Sequence, residues 1–296
     1  MEPELLPSPI GSIPVFASTL DRVGRDGLLS LAFERRGNRT VLVQRRFTLP
    51  LQALESIPLD SDGSVCLMLL NPTGGLVGGD RLKSEIALGQ DTHVCLTTPS
   101  ATKVYRTLGP PAIQETTIRL EEGAILEYLP DHVIPHPGSV FHQSLTVEME
   151  PKSRAILVDA FAVGRLARGE RWGFRELVNL ITVSSRGQPL FLDRMRLDPS
   201  TQTPAGLGGM EGFGYHATLA LFGERFDAWE SMARALEEQM SELRSVLGGV
   251  SPISRGGCVV RLLAASAPDL TQAIRGLWTL ARQQLLGLPA VDMRKW

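Results

Sequence analysis

Several things are scarce in this 296-residue chain, and each scarcity excludes a class of protein. Cysteine occurs three times, at Cys66, Cys95 and Cys258, with no CxxC pair. An odd, widely spaced set is neither a disulfide framework nor a zinc frame. Each thiol lies in an apolar run, which reads as a buried side chain in a reducing, cytoplasmic setting. No charge sign dominates: 30 Lys and Arg against 32 Asp and Glu give a net charge of −2. A nucleic-acid-coating protein is usually clearly basic. No window approaches 18 consecutive apolar residues, so no membrane-spanning helix is expected. The first residues lack the cationic and apolar regions of a signal peptide. Catalytic signatures are missing too: there is no GxSxG, no HExxH and no glycine-lysine-serine/threonine phosphate loop.

Glycine and proline are plentiful. The 29 Gly and 20 Pro make up about a sixth of the chain, above the usual combined share of roughly an eighth. Many turns imply many short strands. Residues 1–24 hold four prolines and little periodicity, and read as a flexible N-terminal arm. No later linker is rich enough to divide residues 25–296, which read as a single β-rich domain. Alternation begins at Leu28, breaks at a hairpin-like turn over 35–39, and resumes at 40–44. Residues 64–70 form a nearly continuous apolar run suited to a central strand. Further strands are expected at 82–88, 92–98, 102–107, 113–120, 124–129, 140–149, 154–160, 174–183, 189–197 and 213–222. That spacing predicts a mainly β fold, a sandwich, a barrel or stacked, helically arranged sheets, and not βαβ units. No fixed repeat is visible.

Two segments carry helical period. In 226–247 an apolar face runs through Trp229, Met232, Leu236, Met240 and Leu247, with Asp227 and Glu230 as a capping box and Gly248 as a stop. The second helix is expected over 267–286, between Ser266 with Asp269 and Gly287. A strand at 258–264 separates them, which predicts the order helix, strand, helix and two amphipathic helices near the C-terminus.

The sharpest local feature is NPTGGLVGGD at 71–80. Gly74, Gly75, Gly78 and Gly79 allow backbone to approach backbone or a ligand without a Cβ in the way. Strand follows the loop where a phosphate cradle would have a helix, so a structural turn is favoured; it ends in Asp80. Asp159 and Asp193 each interrupt an apolar run. A buried carboxylate is costly unless paired or bound to a cation, and a salt bridge of Asp193 with Arg194 or Arg196 is the plain expectation. His132, His136 and His142 lie within eleven residues; the prolines among them and their spacing disfavour a zinc or nickel site. His93 and His216 are isolated and receive no role. The segment from Arg165 through Glu170 to Trp172 is a solvated loop or a recognition loop with fixed charges. Paired Asp residues also leave open a β-rich carbohydrate-active enzyme.

The NPTGGLVGGD loop, LTTPSATKVYR at 96–106, LEYLPD at 126–131, GRLARGE at 164–170 and the late helices ending in RKW together resemble the family of urease accessory protein UreD, called UreH in some bacteria. The likeness runs from about residue 28 to the C-terminus. It implies a mostly β, non-enzymatic protein that works with UreF and the GTPase UreG, sits on the urease apoprotein and supports assembly of its nickel metallocentre. It implies Ni2+ in transit and no permanently bound cofactor, and no nucleic-acid or membrane partner. The family's internal polar tunnel falls by motif on Asp80, Thr102, Asp159 and Asp193. Family members often carry a residue smaller than Thr at position 102; Thr102 keeps the hydroxyl. The His132/His136/His142 group matches no family motif. The two amphipathic helices and the C-terminal tail are the expected UreF side.

Overall fold

A computed structural model describes residues 25–201, 204–206, 208–224 and 226–293. The expected arm, 1–24, and the whole RKW tail, 294–296, lie outside them. The strands in chain order are β1 Asp26–Arg36, β2 Arg39–Phe47, β3 Gln52–Ala53, β4 Ile57–Pro58, β5 Val65–Leu70 and β6 Arg81–Leu88. They continue as β7 His93–Thr97, β8 Thr102–Val104, β9 Ala112–Leu120, β10 Ile125–Leu129, β11 Val133–Pro135 and β12 Val140–Met149. The last are β13 Arg154–Ala162, β14 Glu176–Ser185, β15 Gln188–Leu197, β16 Tyr215–Gly223, β17 Val246–Ile253 and β18 Gly257–Ala264. Two α-helices among the described residues, α1 Trp229–Ser241 and α2 Ala267–Ala281, complete the fold, with a 3-10 turn at Leu166–Arg168 and a π-helical turn at Arg282–Leu286 that continues α2.

The strands form two sheets. One runs β15-β14-β12-β9-β6-β1-β2; the other runs β17-β18-β16-β13-β10-β7-β5-β3, with β4, β8 and β11 off that path. The chain passes from sheet to sheet, so successive coils add parallel neighbours to each. In the first sheet Leu82, Gln114, Gln143 and Asn179 lie side by side on β6, β9, β12 and β14. In the second, Val65, Val94, Leu126 and Ala155 do the same. The fold is therefore mainly β in stacked, solenoid-like sheets, as the strand spacing and the resemblance led one to expect.

Burial explains which strands alternate. Strand β6 buries every second residue, because its sheet faces the core on one side and water on the other. Strand β13 is buried along almost its whole length. Its Leu157 and Phe161 join the core between the sheets, and its Ile156 and Val158 join a second core beneath the helices. Met232, Leu236 and Met240 of α1 and Leu270, Leu277 and Trp278 of α2 fill that second core. The apolar faces expected to meet UreF are thus packed against the second sheet.

The end of the chain needs two corrections. Helix α1 stops at Ser241, and Val246–Ile253 is a strand paired with β18, so the order is helix, strand, strand, helix. Gly248 lies within that strand and is no helix stop. The residue before α1 is Ala228, with no side-chain cap, so the Asp227 capping box does not form. For α2 the Ser266 side chain does accept from the Asp269 N–H, and Gly287 closes the following turn in the left-handed region at φ 70°. No helix among the described residues is long and apolar enough to cross a membrane.

Cys66, Cys95 and Cys258 are buried and in no disulfide. His93, given no role by sequence, is the centre of a buried ionic network. Its Nδ1 lies 2.8 Å from Asp62 Oδ2 and its Nε2 lies 2.7 Å from Glu127 Oε1. Arg282, fully buried, donates to Glu127 and to Asp60, and Trp278 Nε1–H donates to Glu127. The network ties the C-terminal helical layer to β7, β10 and the turn at 60–64.

Candidate functional site: a polar cavity between the sheets

The core between the sheets is apolar except for one band. Gln114, Gln143 and Asn179 occupy inward positions that are mostly apolar on the same strands, among them Ile118, Leu145, Val147 and Ile181. Ser84 and Thr116 are neighbours in the next row. From the second sheet Asp159 and Tyr128 face this band. Gln143 Nε2 donates to Asp159 Oδ1 at 2.6 Å, and Asn179 Nδ2 donates to Asp159 Oδ2 at 2.5 Å.

All of these groups except Asn179 border a cavity that continues to Asn71, Thr98, Thr102 and Asp131 at the ends of the second sheet's strands. It leaves about 70 Å3 for the centres of water molecules. A single buried water needs roughly 10–15 Å3 on this measure, and the polar lining supplies the partners that make water stable there. Apolar walls of Leu29, Leu51, Leu76 and Leu82 complete the space.

Burial pushes the Asp159 carboxyl up to about 6, against the amide hydrogen bonds that favour its charged form; the nearby Asp193 charge raises it further. Asp159 is therefore ionised at neutral pH and protonated in mild acid. Tyr128 is pushed up to about 12 by burial and by the Asp159 charge, so it stays a neutral phenol.

Of the residues the sequence singled out, Thr102 and Asp159 stand on this cavity. Asp193 lies next to it, at the edge strand β15. Its carboxylate accepts from Arg261 Nη2 at 3.1 Å, across the gap between the sheets. The expected bond to Arg194 or Arg196 does not form: Arg196 binds Glu176 instead, at 2.7 Å. Beside this pair, His216 stacks on Phe161 at 5.1 Å, and burial lowers it to about 4.

Asp80 is outside the cavity lining. Its Oδ2 accepts from the Val77 N–H at 2.8 Å, and its own N–H donates to the Val77 carbonyl. It thus closes the glycine loop, as expected of a structural turn. The loop glycines serve packing: a Cβ on Gly75 would sit 2.7 Å from the Lys103 carbonyl oxygen, and one on Gly78 would sit 2.8 Å from Thr107. Gly74 and Gly79 have φ of 81° and 91°, which side-chain-bearing residues adopt only with strain. Burial raises the Asp80 carboxyl, offset by the Val77 N–H and by Arg25.

The three histidines disperse. His132 meets the Tyr215 ring edge-on, His136 packs against Tyr105, and His142 bonds Glu176 at 2.9 Å. Among the described residues no group of three or more His, Cys, Asp or Glu is arranged to hold a metal ion. Arg165 and Glu170 form a two-pronged ion pair at 2.6 Å, which fixes the shape of their loop.

Sequence reasoning missed Gln114, Gln143 and Asn179. The available signal was a polar amide in the inward phase of an apolar strand, in FHQSLTVEM at 141–149 and in LVNLITV at 177–183.

The family whose sequence model is described as "UreD urease accessory protein" matches residues 25–296. A urease accessory protein UreD of Ralstonia nicotianae is 33% identical over 279 residues, covering 90% of this chain and 92% of that protein. UreD 2 of Streptomyces griseus is 35% identical over 275 residues, with 91% and 93% covered. The UreD of Herpetosiphon aurantiacus is 33% identical over 277 residues, with 92% and 96% covered.

Proposed function

The chain belongs to the UreD family of urease accessory proteins, and from that premise we propose that it acts in urease maturation as a non-enzymatic scaffold which, with UreF and UreG, passes Ni2+ to the apoenzyme. Ni2+ is cargo here, and no cofactor resides in the chain.

One observation supports a path through the molecule: the Asp159 carboxylate borders a cavity with room for several waters and is bonded by two neutral amides. A carboxylate so placed attracts a divalent cation at neutral pH, while Gln143 and Asn179 hold its orientation. Oxygen ligands bind Ni2+ less tightly than imidazole or thiolate sets. A conduit must admit an ion and also release it, so the Asp159 carboxylate with Thr102, Asp131 and water, and no imidazole or thiolate among the described residues lining the cavity, suits transit better than storage. Asp193 adds negative charge beside the path, tempered by Arg261. Asp80 contributes by holding the glycine loop.

The test is co-expression of the chain with its cognate urease subunits, UreF, UreG and any required nickel-donor protein, followed by urease activity and bound nickel. Activation that needs the chain and is lost in a folded, complex-forming Asp159→Ala supports the path. Activation that needs the chain but ignores Asp159 leaves a scaffold without it. Activation without the chain overturns the proposal.

A further inference from the structure

Four segments that lead the chain from the second sheet into the first stack side by side: 71–80, 103–111 from the end of β8, 132–139 with β11, and 163–175. The contacts between them are direct. Leu76 N–H donates to the Lys103 carbonyl, and Tyr105 N–H donates to the Leu76 carbonyl, both at 2.8 Å. Tyr105 O–H donates to the Gly74 carbonyl and packs edge-on against His136. Thr107 N–H reaches the Gly138 carbonyl, Gly138 N–H reaches the Gly173 carbonyl, and Arg175 reaches the Thr107 carbonyl. His136 feels the charges of Arg165, Lys103 and Arg168. The glycine loop and the Arg165–Glu170 loop, far apart in sequence, thus form one continuous face.

The composition of this face is unlike that of the chain. These segments hold six cations, Lys103, Arg106, Arg165, Arg168, Arg171 and Arg175, against two acids, Asp80 and Glu170, with Asp131 just before the third segment, in a protein whose net charge is −2. Of those acids Asp80 is buried in its turn and Glu170 is bound by Arg165. Lys103, Arg106 and Arg168 are exposed. Among them stand exposed apolar groups: Leu108 is 87% exposed, with Val77 and Tyr105 also open. Aromatic and Arg side chains around an apolar anchor are the residues enriched in protein–protein interfaces. The turns that carry them are rigid, because glycine packing and the Arg165–Glu170 pair fix them, so little ordering entropy is lost on docking.

We propose that this face docks an acidic segment of a protein partner that seats an apolar side chain against Leu108, Val77 and Tyr105 while its carboxylates meet Lys103, Arg106 and Arg168. Charge complementarity selects the occupant. A nucleic acid would use the cations but would leave an aliphatic anchor such as Leu108 unused. Asn71 and Thr102 border the cavity and lie in or next to these loops, so the docked segment sits beside the cavity. The inference rests on the accessory role proposed above for its choice of partners.

The experiment uses the chain co-purified with UreF, and measures binding of urease apoprotein and of UreG at 50 and 300 mM salt, alongside pull-down of UreF itself. The variants are Lys103→Glu/Arg168→Glu and Leu108→Ser, with Arg234→Glu on the exposed side of α1 as control. Circular dichroism and thermal melting check that each folds. Both variants are expected to weaken one partner at least tenfold and the control less than twofold; high salt should weaken that complex for the wild type and not for the charge reversal. Affinities within twofold of wild type for every partner, from both folded variants, would overturn the proposal. So would salt-sensitive binding of a single-stranded oligonucleotide that the charge reversal abolishes while every protein complex persists. Failure of the wild-type chain to bind any of these partners would remove the accessory role and this face with it; loss of the variant effect alone removes only the face.

Discussion

Gln143 on β12 donates to Asp159 on β13 at 2.6 Å, and the bond crosses from one sheet to the other. It is a polar tie through the middle of an apolar sandwich. Its acceptor is a carboxylate whose ionisation burial opposes.

That opposition has a measurable consequence for stability. Moving a carboxyl from 3.8 to about 6 makes its ionisation cost about 3 kcal/mol in the folded state. The folded chain holds more protons than the unfolded one between these values, so this group's contribution falls as pH rises from about 4 to about 6 and is flat above. Asp159→Asn should therefore be more stable than wild type at pH 7.5, by about 1–3 kcal/mol once the poorer hydrogen bonding of an amide is allowed for, and no more stable at pH 4. Chemical denaturation at both pH values reads this, and a variant less stable than wild type at pH 7.5 would refute it.

The ionic network under the helices has the opposite sign. His93 is lowered by burial, but its bonds to Asp62 and Glu127 outweigh this and raise it above 6.5. Glu127 is raised by burial but held below 4.5 by His93, Arg282 and Trp278. The His93 contribution is full below 6.5 and lost as pH climbs through its raised value. The Glu127 contribution is full above 4.5 and lost in acid. The network should thus stabilise most between about pH 4.5 and 6.5. Arg282→Met leaves Glu127 short of its buried cation and should cost about 3–5 kcal/mol; adding Glu127→Gln should recover part of that. Thermal melts of the single and double variants across this range check both statements, and a double variant as unstable as the sum of its parts would contradict the pairing.

Two glycines separate strain from crowding. Gly169 has φ 72° and open space around its would-be Cβ, so Gly169→Ala should cost only the backbone term, about 1–2 kcal/mol. Gly75 has φ 156° and a Cβ position 2.7 Å from both the Lys103 carbonyl oxygen and the Tyr105 ring. There the crowding adds about 1–3 kcal/mol. Equal losses of denaturation free energy in the two variants would show that the glycine loop is less tightly packed than described.

Strand alternation made most of the fold legible. What it hid has physical causes. Only the first two residues of β17 fall in the expected helix, because Leu243 and Leu247 continue its apolar spacing, and the rest of the strand went unread because Gly248, Gly249 and Pro252 weaken the strand pattern. Strand β11 carries Pro135 among the prolines that read as loop. The solenoid gave no repeat because its coils differ in length: the stacked residues Val65, Val94, Leu126 and Ala155 are unevenly spaced. Asp159 was visible as an anomaly in an apolar run. Its partners Gln143 and Asn179 are ordinary residues until the sheets are laid face to face.

Asp80 and Asp159 both fall on tunnel positions that the family resemblance implies, but Asp80 is bonded within its turn and Asp159 borders the cavity, a difference that substitution can test. Asp80→Asn keeps an oxygen to accept from the Val77 N–H, whereas Asp80→Ala leaves that donor without its side-chain acceptor at a cost of about 1–3 kcal/mol. Asp159→Asn keeps the cavity filled but removes its charge. Urease activation in the co-expressed assembly should survive Asp80→Asn, decline with Asp80→Ala in step with lost stability, and fall with Asp159→Asn although that variant is more stable at neutral pH. If Asp80→Asn abolishes activation in a chain that folds and assembles normally, the Asp80 charge acts on the cargo itself and its place in the turn is incidental.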